Sequence, residues 1–260
     1  MDNVFIHIPE SLSYGGPCAE CGRKHALAAA PALDQAAALF RAMQQAGRMD
    51  FETPDPDPRL SLDSLWGPAR GKMFGVLVHA DSQGGTGVLK AFSSQYNGVW
   101  QVAGWVDPVM DADLFARLSD PVDREIKELG REIDALDSAN PERTTLMARR
   151  RQLSQELMLR LHALYTLTNF RGETRPLADF FAKGVPTGAA DCCTPKLLHH
   201  AALHGLTPLG VAEFYVGRTN ASKTRVHGHC YPPCRDKCLP ILGFQLCGLG
   251  TSITEERTQA

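Results

Sequence analysis

The chain has 260 residues, 43% of them hydrophobic, with 27 Lys and Arg against 29 Asp and Glu and a formal net charge of -2. That length can bury a substantial core in one large domain or two small ones, and the near-neutral balance excludes a generally basic nucleic-acid binder while leaving room for a local basic face. No run of about 18 apolar residues is present, which excludes a membrane-spanning helix.

Met1-Asp-Asn-Val-Phe-Ile-His-Ile-Pro9 lacks the basic-then-apolar order of a secretory leader, so a cytoplasmic location is expected. The 8 cysteines are then expected as thiols or metal ligands instead of a disulfide framework. Residues 1–58 read as an N-terminal loop, a helix and a proline-rich connector. Cys18 and Cys21 have the spacing of a zinc knuckle, but one pair alone is a weak signal, and an independent or loop role is expected for it. Asp34 is placed to cap a helix whose apolar positions Ala37, Leu39, Phe40 and Met43 run up to a stop at Gly47. Pro54, Pro56 and Pro58 at alternate positions make the next stretch extended.

Residues 59–118 contain two strand-forming runs, Lys72 to His79 and Val88 to Ser93, across the glycine-rich Ser82–Gly87. That pattern predicts an antiparallel hairpin. No helix start and no Lys-Ser/Thr pair follow the glycines, so they read as a turn and not as a phosphate cradle.

Residues 119–168 change texture. Asp120-Pro121 predicts a helix start, and Val122, Ile126, Leu129, Ile133 and Leu136 recur at spacings of four and three. Asn140-Pro141-Glu142 restarts a helix carrying Leu146, Leu153, Leu157, Leu161 and Leu164. So short a break predicts an antiparallel helical hairpin. Arg143, Arg149, Arg150, Arg151 and Arg160 on the second arm read as a solvated face, with phosphate or partner docking as the alternative.

Residues 169–250 hold most of the soft ligands, and 251–260 read as a disordered polar tail. Pro195 to His204 predicts a helix headed by Asp191-Cys192-Cys193, Leu209 to Val216 a buried strand, and Cys234 the entry to a last helix. Zinc takes thiolate or imidazole ligands in a tetrahedron. Cys234 and Cys238 lie four apart, so one helical turn can aim both sulfurs at one ion, with Cys192 as a third ligand and a water, His227 or His229 completing the shell. Cys193 and Cys247 read as packing residues. His199, His200 and His204 read as surface histidines, because no Glu sits between His200 and His204 as a zincin needs. Glu213 stands in an otherwise apolar strand and needs a partner, for which Lys196, Lys237 or the metal site are candidates.

The order helix, strand hairpin, cysteine-headed helix, strand, Pro-Cys helix resembles the zinc-dependent nucleobase deaminase fold, in which a Pro-Cys-x-x-Cys pair and one further ligand hold the metal. The resemblance implies an α/β, deaminase-like layered domain with the helical hairpin inserted. Two departures stand out: three residues separate Cys234 from Cys238, and Thr194 stands where the deaminase motif has its proton-shuttling Glu. Asp191 is the nearest substitute in sequence.

A second resemblance rests on longer motifs. Lys72-Met-Phe-Gly-Val-Leu-Val78, Ala91-Phe-Ser93, Cys192-x-x-Pro-Lys196-Leu-Leu, His204-Gly-Leu-x-Pro-Leu, Ala212-Glu213-Phe and His227-Gly-x-x-Tyr-Pro-x-Cys234-Arg-x-Lys237-Cys238-x-Pro-Ile-Leu-Gly243 are similar to the amino-terminal extension of long bacterial RluA-type pseudouridine synthases, over roughly residues 25–250. The extension usually has Gly-Glu-Cys where Ala190-Asp191-Cys192 stands, and an aromatic residue where Cys230 stands. The family's His-Arg-Leu-Asp motif is not in this sequence. The resemblance therefore implies an accessory module of RNA modification, binding RNA or a separate RNA-modifying enzyme, and the cysteine constellation makes Zn2+ the expected cofactor. Carried over position by position, the matching polar set is Asp191, Cys192, Lys196, Glu213, His227, Cys234, Lys237 and Cys238. Metal ligation is expected of Cys192, Cys234 and Cys238, catalytic work of Asp191, Glu213 and Lys196, and a supporting place at the site of His227 and Lys237. The competing expectation is a deaminase-like enzyme acting on a nucleobase or nucleotide.

Overall fold

The computed structural model describes residues 5, 7–68 and 70–250, so the tail 251–260 lies outside the described residues. In chain order, strands β1 (Ser13–Pro17) and β2 (Lys24–Ala28) form an antiparallel ribbon. Helix α1 (Leu33–Ala46) ends where Gly47 turns left-handed at φ 65°, a conformation that costs glycine nothing. Asp34 lies in the first turn of α1 and does not cap it: the capping position is Ala32. Strands β3 (Lys72–Ala80) and β4 (Thr86–Phe92) pair antiparallel. Their turn is held by Asp81, whose Oδ1 accepts from the Gln83 and Gly85 amides at 2.8 Å. A carboxylate already fills the glycine loop, as a plain turn requires.

The helical hairpin forms, with α2 (Ala112–Ala135) longer than the sequence suggests and α3 (Pro141–His162) as expected. The start moves because Asp111 caps α2 through Leu114 N at 2.9 Å, which leaves Pro121 inside the helix on an exposed face. Leu129, Ile133, Leu157 and Leu161 are buried, so the seam is the one the spacing predicts. Arg149 pairs with Glu125 at 2.6 Å. Arg143 instead donates to the carbonyls of Ile133 and Leu136 at the end of α2, where a cation satisfies orphan acceptors. Strands β5 (Thr166–Thr168) and β6 (Thr174–Pro176) pair next. Then come α4 (Cys193–Leu203), β7 (Thr207–Val216) and α5 (Leu239–Gln245). The hairpin, with Met110–Thr166 and Pro176–Val185, is one compact unit, and the rest of the described chain is another.

In the larger unit the sheet order is β4-β3-β7 with both neighbours antiparallel to β3. Side chains alternate across a strand, and the two faces of β7 take different partners. Phe214 stacks on Phe74 at 6.1 Å and meets Phe40 of α1 at 5.7 Å. Its neighbour Glu213 points the other way, to the first turn of α4. The sheet is therefore covered on both sides, and β7 reads as an almost unbroken buried run instead of an alternating one. Among the described residues no helix is long and apolar enough to cross a membrane.

Away from its cysteines, α4 is tied down by His199, whose Nδ1 accepts from the Thr168 amide at 3.3 Å. Burial first, then His200 and His204, lower its pKa from 6.5 to about 4. A histidine held neutral stabilises the fold fully above its unfolded pKa, and that contribution is lost as pH falls through 4. Discounting for partial exposure, about 2 kcal/mol is at stake. Denaturant unfolding of His199→Gln and wild type should therefore show the wild type losing about 2 kcal/mol more than the variant between roughly pH 7 and 4. Parallel pH profiles would refute the assignment.

Candidate metal centre

Cys192 is the N-cap of α4 in extended conformation, and its Sγ lies 4.0 Å from that of Cys234. Cys234 Sγ lies 3.1 Å from Cys238 Sγ, and all three sulfurs fall within 4.8 Å of one another. These separations exceed the ~2.05 Å of a disulfide and bracket the ~3.8 Å edge of a tetrahedron with 2.3 Å zinc–sulfur bonds. The expected helix entry at Cys234 is a tight turn, in which Cys238 N and Leu239 N donate to Cys234 O at 3.1 and 3.2 Å. The helix itself starts at Leu239. The turn does what a helical turn would have done: it sets both sulfurs on one side.

The position of Cys192 follows from the packing beneath it. A Cβ on Gly75 of β3 would lie 2.7 Å from Cys193 Cβ, so only glycine lets α4 lie this low on the sheet. In register with Gly75 across the ladder stands Glu213, 5% exposed. Its Oε1 accepts from both the amide and the hydroxyl of Thr194 at 2.6 Å. Burial raises Glu213 to about 6, against the two Thr194 bonds and with the charge of Cys234 adding to the rise.

Within the trio, contacts with Cys192 and Cys238 hold Cys234 well below the ordinary thiol range despite burial. The contact with Cys234, then burial and Glu213, push Cys192 well above it. Contacts with Cys192 and Cys234, burial and Glu213 do the same to Cys238. Alone, the cluster thus favours one thiolate shared among three sulfurs. A divalent cation would relieve that repulsion and let all three ionise, so the donor set fits a soft metal.

The remaining candidates fall elsewhere. Asp191 accepts from Ser94 N through its carbonyl at 2.8 Å and has Oδ2 3.5 Å from Ser94 Oγ. Its charge acts on Lys72 and Lys196. Lys196, 1% exposed, donates to Phe92 O at 2.9 Å and sits 4.4 Å from the centre of the Phe92 ring. The partner of Glu213 is therefore Thr194 and neither of the lysines expected from sequence: Lys237 donates to Thr187 O at 2.6 Å. His227 accepts from Gly217 N at 3.2 Å and packs between Phe40 and Trp66, and His229 lies against His7 and Tyr231. Among the described residues neither histidine joins the trio. Cys230 is buried, with its thiol raised to about 12 by that burial. Cys193 is a core residue that donates to Met73 O at 3.4 Å, as its packing role predicts.

Cys18, Cys21, His25 and Cys247 form a second convergent group. Cys247 is fully buried, as a packing residue would be, yet its sulfur also faces that cluster. Cys18 and Cys21 are not an independent loop pair. The Cys-x-x-Cys-Gly run was a signal for them, whereas no local pattern marks Cys247.

No family model, curated protein or solved structure matches the chain. What its sites can do therefore follows from their donors: among the described residues two groups, one of Cys and His and one of Cys alone, could hold a metal ion, the latter beside a buried carboxylate that burial raises to about 6.

A carboxyl whose folded pKa is raised stabilises the fold below its unfolded pKa, and the contribution is lost as pH rises through the folded value. With metal removed by a chelator, wild type should lose about 2 kcal/mol relative to Glu213→Gln as pH rises from roughly 4.5 to 7.5. Urea titrations at the two ends of that range provide the check, and an equal slope in both proteins would contradict the assignment.

Proposed function

We propose that this chain is a zinc protein of RNA modification, in which Cys192, Cys234 and Cys238 hold the metal and the surrounding α/β layer binds RNA or an RNA-modifying enzyme. The observation that carries the reading is the convergence of these three sulfurs from two separate segments. They are also the cysteines of the motifs that resemble the amino-terminal extension of RluA-type pseudouridine synthases, and that resemblance is the support for the RNA context. The order α1, β3-β4, α4, β7, α5 supports the likeness to the deaminase layer, since both cysteine segments directly precede site helices.

A second reading is favoured by Glu213. Zinc sites with three protein ligands keep a position for water, and deaminases set a Glu beside the metal to move protons. Here Thr194 occupies that Glu's place in sequence, and the Glu213 carboxylate is bonded to both Thr194 donors. A carboxyl raised to about 6 is matched to taking a proton from water and delivering it to departing ammonia. On this reading the proton-handling residue is Glu213, from the strand, in preference to Asp191.

Protein purified without chelator should carry zinc, and Cys192→Ser/Cys234→Ser should lose one equivalent while staying folded. Wild type should retard tRNA or rRNA fragments in a mobility-shift assay with an affinity that falls steeply with salt. Less than about a tenth of an equivalent of zinc with all thiols free would sink the metal centre. Ammonia release from a base or nucleoside panel, abolished in Glu213→Gln, would move the conclusion to the second reading.

A further inference from the structure

The turn joining β1 to β2 brings two cysteines to one side. Cys18 N donates to Arg23 O at 2.8 Å and Gly22 N to Cys18 O at 2.9 Å, and Gly22 takes the left-handed φ of 68° that such a turn needs. Cys18 is 2% exposed. His25, on β2 and 6% exposed, places Nε2 3.0 Å from Cys21 Sγ, while its Nδ1 is buried with no hydrogen-bond partner. With Nδ1 unpaired, the bonding of the ring falls to Nε2, whose lone pair, aimed at the Cys21 sulfur, is the one a metal would take.

The fourth member comes from the far end of the described chain. Helix α5 lies directly on β1: a Cβ on Gly243 would stand 2.0 Å from Pro17 O, and one on Gly16 2.5 Å from Leu239 O. That contact carries Cys247, just past α5 and fully buried, to the ribbon turn. Its backbone is fixed there by Cys247 N donating to Phe244 O and Phe170 N donating to Cys247 O, both at 3.0 Å. The four ligand atoms lie within 4.8 Å of one another.

We infer that Cys18, Cys21, His25 and Cys247 form a second, closed zinc site, a structural four-ligand centre that clamps the β1-β2 ribbon to the segment following α5. Three thiolates and one imidazole complete a tetrahedron with no position left for water, which is the composition of structural zinc. The Cys192 trio, with three protein ligands, keeps one position free. The two sites therefore differ in kind: the ribbon site closes around its metal as part of the fold, and the trio leaves one position of its metal open.

The test uses the full chain purified without chelator, with zinc counted by mass spectrometry and zinc K-edge absorption reading the bonds, where the nitrogen signal is the multiple scattering of a histidine ring, which a water oxygen on the trio does not give. Wild type is expected to hold two equivalents. Cys21→Ser/Cys247→Ser should hold one, lose the zinc–nitrogen signal near 2.0–2.1 Å and melt at lower temperature. Cys192→Ser/Cys234→Ser should also hold one but keep the nitrogen signal, so failure of the trio and failure of the ribbon site give different results. Should the double variant not fold, His25→Cys serves instead: it should keep two equivalents and the wild-type melting temperature while losing the nitrogen signal. One equivalent in wild type without a nitrogen signal, a disulfide among Cys18, Cys21 and Cys247, or an unchanged nitrogen signal in His25→Cys would overturn the inference.

Discussion

The first turn of α4 rests on β3 and β7 with almost nothing between them, and the trio depends on that contact. Gly75 removes the side chain that would hold the helix off the sheet. Glu213, beside it on the next strand, supplies an acceptor to the buried start of the helix. A helix start has free amides and a positive end. One carboxylate oxygen under Thr194 therefore satisfies an amide and a hydroxyl in a place water does not reach. With Thr194 fixed, Cys192 two residues earlier is fixed as well, at the edge of the buried layer where its sulfur can meet those of the Cys234 turn.

This arrangement explains why so expensive a residue is kept in the middle of a core strand. A buried carboxylate without donors is strongly destabilising, but two donors on one oxygen recover part of the cost and hold the group at a pKa where both protonation states are accessible. Lys196 follows the same logic in the opposite sense. Its ammonium is buried against a carbonyl and an aromatic face, and burial lowers its pKa in spite of Cys193 and Asp191. The two ionisable groups lie on the same helix–sheet interface yet bond to different elements.

Local patterns in the sequence reveal the elements well and the contacts between distant elements poorly. The hairpin of β3 and β4, the leucine seam of α2 and α3 and the cysteine-headed helix follow from periodicity and turn residues, because those signals are local. The starts of α2 and α5 differ from the expected ones because Asp111 caps α2 and the Cys234–Cys238 segment closes a tight turn ahead of α5. The trio was legible because Cys234 and Cys238 are near neighbours and Cys192 opens a helix. The pairing of Glu213 with Thr194 was not, since a strand position says nothing of which helix covers it. The union of Cys247 with Cys18, Cys21 and His25 is harder still: it is created by Gly243 lying on Pro17, a contact with no sequence period at all.

That last contact bears on how the chain reaches its fold. The β1-β2 ribbon is made early in synthesis, but the surfaces it packs on belong to α5 and to the stretch around Tyr231, whose carbonyl accepts from the buried Tyr14 hydroxyl at 2.7 Å. Until those late residues emerge, the ribbon has nowhere to bury its inner face, and a two-stranded ribbon alone is marginal in water. Closure of nearly the whole described chain must precede completion of the core, a topology of high contact order that folds slowly. During that wait several thiols stand exposed on an unfinished chain, so the order of synthesis, and not only the final geometry, decides how long they are open to oxidation.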